Sequence, residues 1–352
     1  MATRLVPTIV NGIGYSLALS DTGDVFSMGS GSSQGHGHRS CKVCPPKKIS
    51  SLQNIKAIDC GFGHSACLDA HGNVFIFGSN QFGLLGIGRD PSSLPDTYKP
   101  QKIDLPPIKQ VVCSGISNIC VSEDGDIYSF GFNEYGQLGL GNTKHYNRPQ
   151  KVKSLKNVDF VQCGRFHTIC KTLNNEIYVW GKNIEGQLGI GSHNNEHSPV
   201  KCESWPNNIV DIKCGNNHTI VLTLDGDLYS CGSNEFYQLG RNLIDSDCSP
   251  HLSKIPTVSG ILQVSCGEEY SMCINNNGDL FLFGANNFGQ LGFGDYCERK
   301  EPTKNPLLSN IIDISSRGRH TFVKNSLNEI YAFGGNQTAQ FGVKTRITEL
   351  NQ

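Results

Sequence analysis

Seven times along its 352 residues the chain returns to the same two landmarks. The first is a slot held by Tyr15, His64, Ser117, His167, His218, Tyr270 and His320, at successive spacings of 49, 53, 50, 51, 52 and 50 residues. The second is a glycine, Gly29, Gly78, Gly131, Gly181, Gly232, Gly284 or Gly334, always 14 residues after the first. A constant inner distance with a variable outer one describes a rigid unit joined by adjustable loops, and a period of about 50 residues marks a repeat architecture. Ahead of the first landmark lie 14 residues, and 33 run from the last landmark to the end, so the two ends together make close to one further period. Residues 1–352 therefore read as one domain of seven units, with no remainder for a second domain or a basic tail.

Each unit reads as strands. In the second, Ile55 to Cys60 is an apolar-rich run, Gly61-Phe62-Gly63 breaks it, and His64 to Leu68 forms the next run. His71-Gly72 then predicts a tight turn, matched by Asp124-Gly125, Asp225-Gly226 and Asn277-Gly278, residues that tolerate the positive φ of two-residue hairpins. The third run, Val74 to Phe77 or Leu280 to Phe283, is apolar at every position, as in a strand covered on both faces. A glycine-rich loop follows, Gly136-Gln137-Leu138-Gly139-Leu140-Gly141 in the third unit, and then a proline-containing outer run such as Pro149 to Val152, where an edge strand tolerates proline. The expectation is an all-β fold, a seven-bladed β-propeller of four-stranded antiparallel blades. Its ring would be closed by the terminal strands, Val6 to Val10 and Thr345 to Leu350 completing one composite blade.

Charge excludes some partners. With 30 Lys+Arg against 31 Asp+Glu the net charge is -1, which gives no global field toward nucleic acid or anionic membrane. No signal peptide and no membrane-spanning run are visible, so a cytoplasmic monomer is expected, with nuclear entry left open and no clear basic import cluster. Of the 15 cysteines, nine occupy two repeated slots (Cys60, Cys113, Cys163, Cys214, Cys266 and, seven residues on, Cys67, Cys120, Cys170, Cys273), as small buried apolar residues do. Their odd total favours free thiols in a reducing compartment.

The chain carries no GxxxxGK[ST], HExxH or GxSxG motif, so bond-making chemistry and a cofactor are not expected. His64, His167, His218 and His320 share their slot with Tyr15, Tyr270 and Ser117, which favours a structural, hydrogen-bonded role pinning each blade's inner turn over catalysis. His36, His38, Cys41 and Cys44 form one metal-like cluster, but their spacing matches no known finger and a plain loop is preferred to zinc.

The informative positions are the two that vary between the repeated glycine and the slot. They read Ile13-Gly14, Phe62-Gly63, Gly115-Ile116, Arg165-Phe166, Asn216-Asn217, Glu268-Glu269 and Gly318-Arg319, with Arg317 replacing the usual glycine. An apolar stretch is thus followed by an amide pair, an acidic pair and a basic pair. Aromatic and aliphatic groups beside convergent charges suit protein binding, so Phe62, Ile116, Arg165, Phe166, Asn216, Asn217, Glu268, Glu269, Arg317 and Arg319 are the candidate partner-binding residues. Ordinary packing of Phe62 and Phe166 toward the central channel is the alternative.

The pattern Cys-Gly-x-x-His-[Ser/Thr], Asp-Gly-x-[Leu/Ile]-Tyr, Trp-Gly-x-Asn-x-x-Gly-Gln-Leu-Gly-x-Gly resembles the repeat of the regulator of chromosome condensation family over essentially the whole chain. Gln137 to Gly141, Gln187 to Gly191 and Gln290 to Gly294 are close matches, whereas the signatures of kelch and tryptophan-aspartate propellers are missing. The resemblance implies a seven-bladed binding platform. Its founding member promotes nucleotide exchange on the small GTPase Ran and docks on chromatin, a docking that the net charge here does not support. Other members are scaffolds, ubiquitin-ligase modules or traffic factors. A plant member senses ultraviolet light through clustered tryptophans, which Trp180 and Trp205 alone do not reproduce. By slot, Glu268 and Glu269 match the acidic residues that face the GTPase, while the family's inserted hairpin in the third blade has no counterpart between Gly131 and Gly141. Two functions are therefore expected in competition: regulation of a small GTPase, including guanine nucleotide exchange, or a non-catalytic scaffold that binds a peptide or protein on the turn-lined face.

Overall fold

The computed structural model describes residues 8–31, 33–37, 40–88, 97–243, 247–337 and 341. It is an all-β, seven-bladed antiparallel propeller, and the one helical element among the described residues is the short turn Gln81–Gly83. The fourth blade is representative: Val158–Cys163, His167–Thr172, Ile177–Gly181 and Glu196–Lys201 lie side by side in chain order. Six sheets have four described strands, and the seventh has three, Ile311–Arg317, His320–Asn325 and Ile330–Gly334. Of the two ends expected to share a blade, the N-terminal one supplies Thr8–Asn11, the inner strand of the first blade, paired with Tyr15–Leu19 of that same blade. The C-terminal run, 345–350, lies outside the described residues.

The spacing of 14 is a hairpin register. Tyr15 pairs with Gly29, His64 with Gly78, Ser117 with Gly131, His167 with Gly181, His218 with Gly232, Tyr270 with Gly284 and His320 with Gly334. The hairpin turns hold their predicted left-handed residues, including Gly125 (φ 77), Gly226 (φ 78) and, where glycine is missing, Asn175 (φ 63). Third strands are buried nearly throughout, with Phe77, Phe130, Trp180 and Phe283 wholly enclosed, while the proline-bearing fourth strands lie at the sheet edges. The described cysteines are free thiols, and all but one of the nine slot cysteines are buried. No described helix is long and apolar enough to cross a membrane.

By their internal contacts the residues fall into two compact units divided within the inner strand of the fourth blade, one reaching Val161 and the other spanning Gln162–Gly335. Within each, neighbouring blades are stitched in the same way. The hairpin glycine of one blade accepts a hydrogen bond from the first inner-strand amide of the next: Ile108 N to Gly72 O at 2.9 Å in the first unit, Ile261 N to Gly226 O at 3.0 Å in the second.

The slot side chain makes the second stitch, and it reaches the next blade rather than its own turn. In the second unit His167 Nε2 lies 3.1 Å from Thr219 Oγ1, and His218 Nε2 lies 3.0 Å from Ser271 Oγ. A hydroxyl has one proton to give. Thr219 donates it to Gln187 O at 2.8 Å and Ser271 donates it to Gln238 O at 2.9 Å, so each hydroxyl accepts from the imidazole and the ring proton sits on Nε2. Tyr270 does the same work with its phenol, donating to His320 O at 2.8 Å. In the first unit Tyr15 OH donates to His64 O at 2.5 Å, and His64 Nε2 lies 2.9 Å from Asn118 Oδ1. Ser65, Asn118, Thr219, Ser271 and Thr321, each one residue after a slot, thus link a preceding blade's ring to that blade's own glycine-rich loop.

Space for the ring comes from the glycine three residues earlier. A Cβ on Gly164 or Gly215 would fall within the imidazole of His167 or His218, and one on Gly267 would fall within the phenol of Tyr270. Where Arg317 replaces that glycine, the inner strand runs on through it and pairs Arg317 with His320, a different local geometry.

Burial holds these imidazoles neutral, drawing His167 and His218 down to about 3 and His320 to about 4. An unfolded histidine takes its proton near pH 6.5, so between about 6.5 and the folded values the unfolded chain binds more protons and stability falls as pH falls. Urea unfolding at about pH 7.5 and about pH 5.5 should therefore differ by on the order of 1 kcal/mol per buried histidine. Replacing His167 with Asn should remove part of that difference, and a pH-independent midpoint would contradict neutral burial.

Candidate functional site

The turns after the inner strands are held by the same register that places the slot, so their side chains vary on a fixed backbone. In the second unit they form a row. Asn216 N donates to Glu268 O at 2.9 Å and Glu268 N donates to Gly318 O at 2.9 Å, tying three successive turns together. In the first unit the matching bond runs from Phe62 N to Gly115 O at 2.9 Å, with Phe62 and Ile116 half-buried beside it.

The row in the second unit is electrostatically mixed. Arg165 is exposed, with its guanidinium 4.9 Å from the ring centroid of half-buried Phe166. Arg319 Nε contacts Glu268 Oε2 at 2.8 Å, and the same guanidinium stacks 4.6 Å from the centroid of Phe288. Glu269 is half-buried, and burial first, then the like charge of Glu268, push its carboxyl above the usual carboxylate range against the pull of Arg319 and Arg165. Asn217 Oδ1 accepts from Lys182 Nζ at 3.3 Å, and that ammonium also contacts Glu185 Oε1 at 2.9 Å.

Most of the expected residues are therefore brought together: Arg165, Phe166, Asn216, Asn217, Glu268, Glu269 and Arg319 share one end of the second unit's blades. Arg317 stands one step back, inside its strand. Phe62 and Ile116 belong to the first unit. Half-burial of Phe62 and Phe166 fits neither full packing nor full display.

Lys182, Glu185 and Phe288 were not singled out from the sequence. They occupy variable positions inside the glycine-rich loop, whose constant residues form a self-capping frame. Asn183 Oδ1 accepts from Leu188 N at 2.9 Å and Gln187 Oε1 accepts from Glu185 N at 3.1 Å, and Asn286 and Gln290 repeat both bonds. The signal lay in the varying residues between Asn and Gln: Ile-Glu-Gly in the fourth blade, Asn-Phe-Gly in the sixth. Among the described residues no three metal-ligating side chains cluster. His36 Nε2 lies 2.8 Å from Ser27 Oγ, while His38 and the side chains of Cys41 and Cys44 lie outside what is described.

Comparison with known proteins places this geometry. The family model for the regulator of chromosome condensation (RCC1) repeat matches residues 71–121, 124–170, 174–222, 225–274 and 277–323. The ultraviolet-B receptor UVR8 of Arabidopsis thaliana is 34% identical over 307 residues, which cover 84% of this chain and 69% of the relative. The probable E3 ubiquitin-protein ligase HERC3 of Homo sapiens is 29% identical over 74% of this chain, and the serine/threonine-protein kinase Nek9 of Mus musculus 28% over 75%; the matches span only 20% and 24% of those relatives. Among solved structures, human WBSCR16 superposes with a TM-score of 0.79 at 20% identity, covering 93% of this chain and 89% of that one. Prp20p from Saccharomyces cerevisiae, a protein with binding properties toward Gsp1p and histones, gives 0.78 at 20% identity, covering 94% and 82%.

In the Glu268 and Arg319 pair the arginine side chain is 54% exposed and the glutamate 11%, but a Gln keeps an oxygen for the guanidinium and removes the like charge beside Glu269. Glu268→Gln should change the free energy of unfolding by less than about 1 kcal/mol. A urea titration showing a loss above about 2 kcal/mol would assign the pair a structural role instead.

Proposed function

Because the chain belongs to the regulator of chromosome condensation (RCC1) repeat family, we propose that it is a protein-binding propeller that regulates a small GTPase through the row of turns from Arg165 to Arg319. The observation that carries this reading is the row itself: aromatic, amide, acidic and basic side chains on successive turns, three of which are tied by backbone bonds that do not involve those side chains. A rigid display of this kind offers mixed contacts without an ordering cost on binding. Binding of Gsp1p by Prp20p supports a GTPase as the partner.

Exchange would need no bond chemistry. A surface that binds the nucleotide-free GTPase more tightly than the loaded one must, by linkage, loosen the nucleotide to the same degree. Glu269, half-desolvated and raised by Glu268, is the group in the row most ready to gain from a partner's cation.

A scaffold without exchange activity is the second reading. It is favoured by the third blade, where Ile127–Gly131 and Tyr146–Lys151 are joined by the ordinary self-capping loop, with Asn133 Oδ1 accepting from Leu138 N at 2.9 Å, and carry no inserted hairpin.

Release of a fluorescent guanine nucleotide from a Ran-type GTPase and from other small GTPases separates the two. Acceleration by the protein, reduced more than about tenfold by Glu268→Arg or Phe166→Glu, is the expected result. No acceleration with any GTPase, beside a partner whose binding those substitutions abolish, would leave the scaffold. Binding indifferent to both substitutions would remove the turn row from either function.

A further inference from the structure

The glycine-rich loop is held from outside its own sequence as well as from within. In the third blade wholly buried Asn133 is its centre: Oδ1 accepts from Leu138 N at 2.9 Å, Nδ2 donates to Asn142 O at 2.9 Å, and the carbonyl accepts from Gly136 N at 3.0 Å. The amide of Asn133 donates to a side chain 12 residues on. In the fourth blade the equivalent amide, Asn183 N, donates to Asn195 Oδ1 at 2.8 Å; in the third, Asn133 N donates to His145 Nδ1 at 3.1 Å. One acceptor is an amide oxygen, which does not titrate. The other is a ring nitrogen that accepts only while it carries no proton.

The same imidazole covers an aromatic contact between two blades. It stacks on Phe132 with ring centroids 4.9 Å apart and planes 22° apart, and Phe82 of the second blade meets it edge-on at 5.2 Å. Phe82 also meets Phe132 edge-on at 4.9 Å, so the three rings touch in pairs. Under this cover Phe132 is only 7% exposed, while the His145 side chain is 35% exposed and open to protons from solvent. Phe82 has φ 58, a left-handed conformation that a bulky residue keeps only where surrounding contacts enforce it. Phe132 N donates to Ile116 O at 3.1 Å, which ties the covered ring to the third blade's inner turn.

We propose that His145 is an acid-sensitive clasp: closed while its ring is neutral, it swings away on protonation, uncovers Phe132 beside the third blade's inner turn and makes apolar recognition at this end of the first unit depend on pH. A proton on Nδ1 sets two donors face to face across 3.1 Å, and no rotation of the imidazolium restores an acceptor, since both ring nitrogens then donate. The charged and titratable groups around the ring do not reverse this. Glu134 Oε1 lies 4.0 Å from Nε2 and is 61% exposed, so it attracts a charged ring only weakly, as does the face of Phe132. Both act on the charge, and neither supplies an acceptor for Asn133 N. Exposed Lys144 is the ring's neighbour in the chain, the phenols of Tyr135 and Tyr146 belong to the same blade, and the turn Gln81–Gly83 that carries Phe82 brings no charge. Imidazoles with access to water change charge between about pH 5 and 8. Wholly buried His167 and His218, by contrast, meet a proton only when their blades come apart. The clasp lies in the first unit and does not depend on the row from Arg165 to Arg319.

Amide exchange of the full chain, followed by NMR at about pH 7.5 and about pH 5.5 and corrected for intrinsic exchange, tests the clasp with Asn183 as internal control. The Asn133 amide should lose about tenfold in protection on acidification, while Asn183, held by an amide oxygen, loses only what the whole fold loses. His145→Asn, which writes the fourth blade's acceptor into the third, should bring Asn133 into line with Asn183. Binding of an apolar fluorescent dye should rise at the lower pH in the wild-type chain and not in this variant. Equal losses at Asn133 and Asn183 in the wild-type chain would overturn the proposal whether or not the variant folds. So would an Asn133 loss or a rise in dye binding that persists in His145→Asn.

Discussion

The fold rests on a ring seated on a glycine. In five blades an imidazole or phenol packs directly over the glycine three residues before it, at Gly12, Gly61, Gly164, Gly215 and Gly267. That seat aims the ring's polar edge at the following blade, where it finds a buried partner. The exceptions follow the same steric logic. Where the slot shrinks to Ser117, the preceding glycine becomes Ser114, and the two hydroxyls lie 2.6 Å apart. Where the glycine becomes Arg317, the inner strand lengthens to meet His320. An unsatisfied polar group in these positions would cost about 1 to 3 kcal/mol, so the latches contribute mainly by specifying which neighbour fits.

This division of labour explains how one backbone serves several surfaces. Register pairs between slot and glycine, hairpin glycines and self-capped loops fix the blade, leaving the inner turns, the loop interior and the bulge free to change. At one end of the second unit those free positions hold Arg165, Phe166, Glu268, Glu269 and Arg319. At the other, bulges near the starts of the inner strands hold the exposed Val210, Leu262 and Ile312. The two ends are chemically unlike because different free positions face each.

Much of the fold was legible in the sequence because the repeat reports geometry directly. The distance from His167 to Gly181 is a hairpin register, and the Asp225-Gly226 turn has the left-handed glycine its sequence announces. Direction was not legible. Periodicity tells that His167 recurs, not that it points at Thr219, 52 residues on, rather than at its own turn. The candidate turns were found because they break a regular pattern, and Lys182 and Phe288 were missed because the glycine-rich loop around them was read as frame alone. Val210, Leu262 and Ile312 were not legible for another reason: each directly follows a core isoleucine, and only a bulge near the start of its strand turns it outward.

The account stands or falls on the latch between blades, and a double-mutant cycle on His167→Ala and Thr219→Val measures it most directly. The two side chains share one hydrogen bond, so urea unfolding should give a coupling energy between about 0.5 and 3 kcal/mol, with either single substitution already exposing the other's unmet need. Additivity within about 0.3 kcal/mol would mean that the ring and the hydroxyl act independently, and that the blades are held by the backbone stitch and apolar packing without the latch.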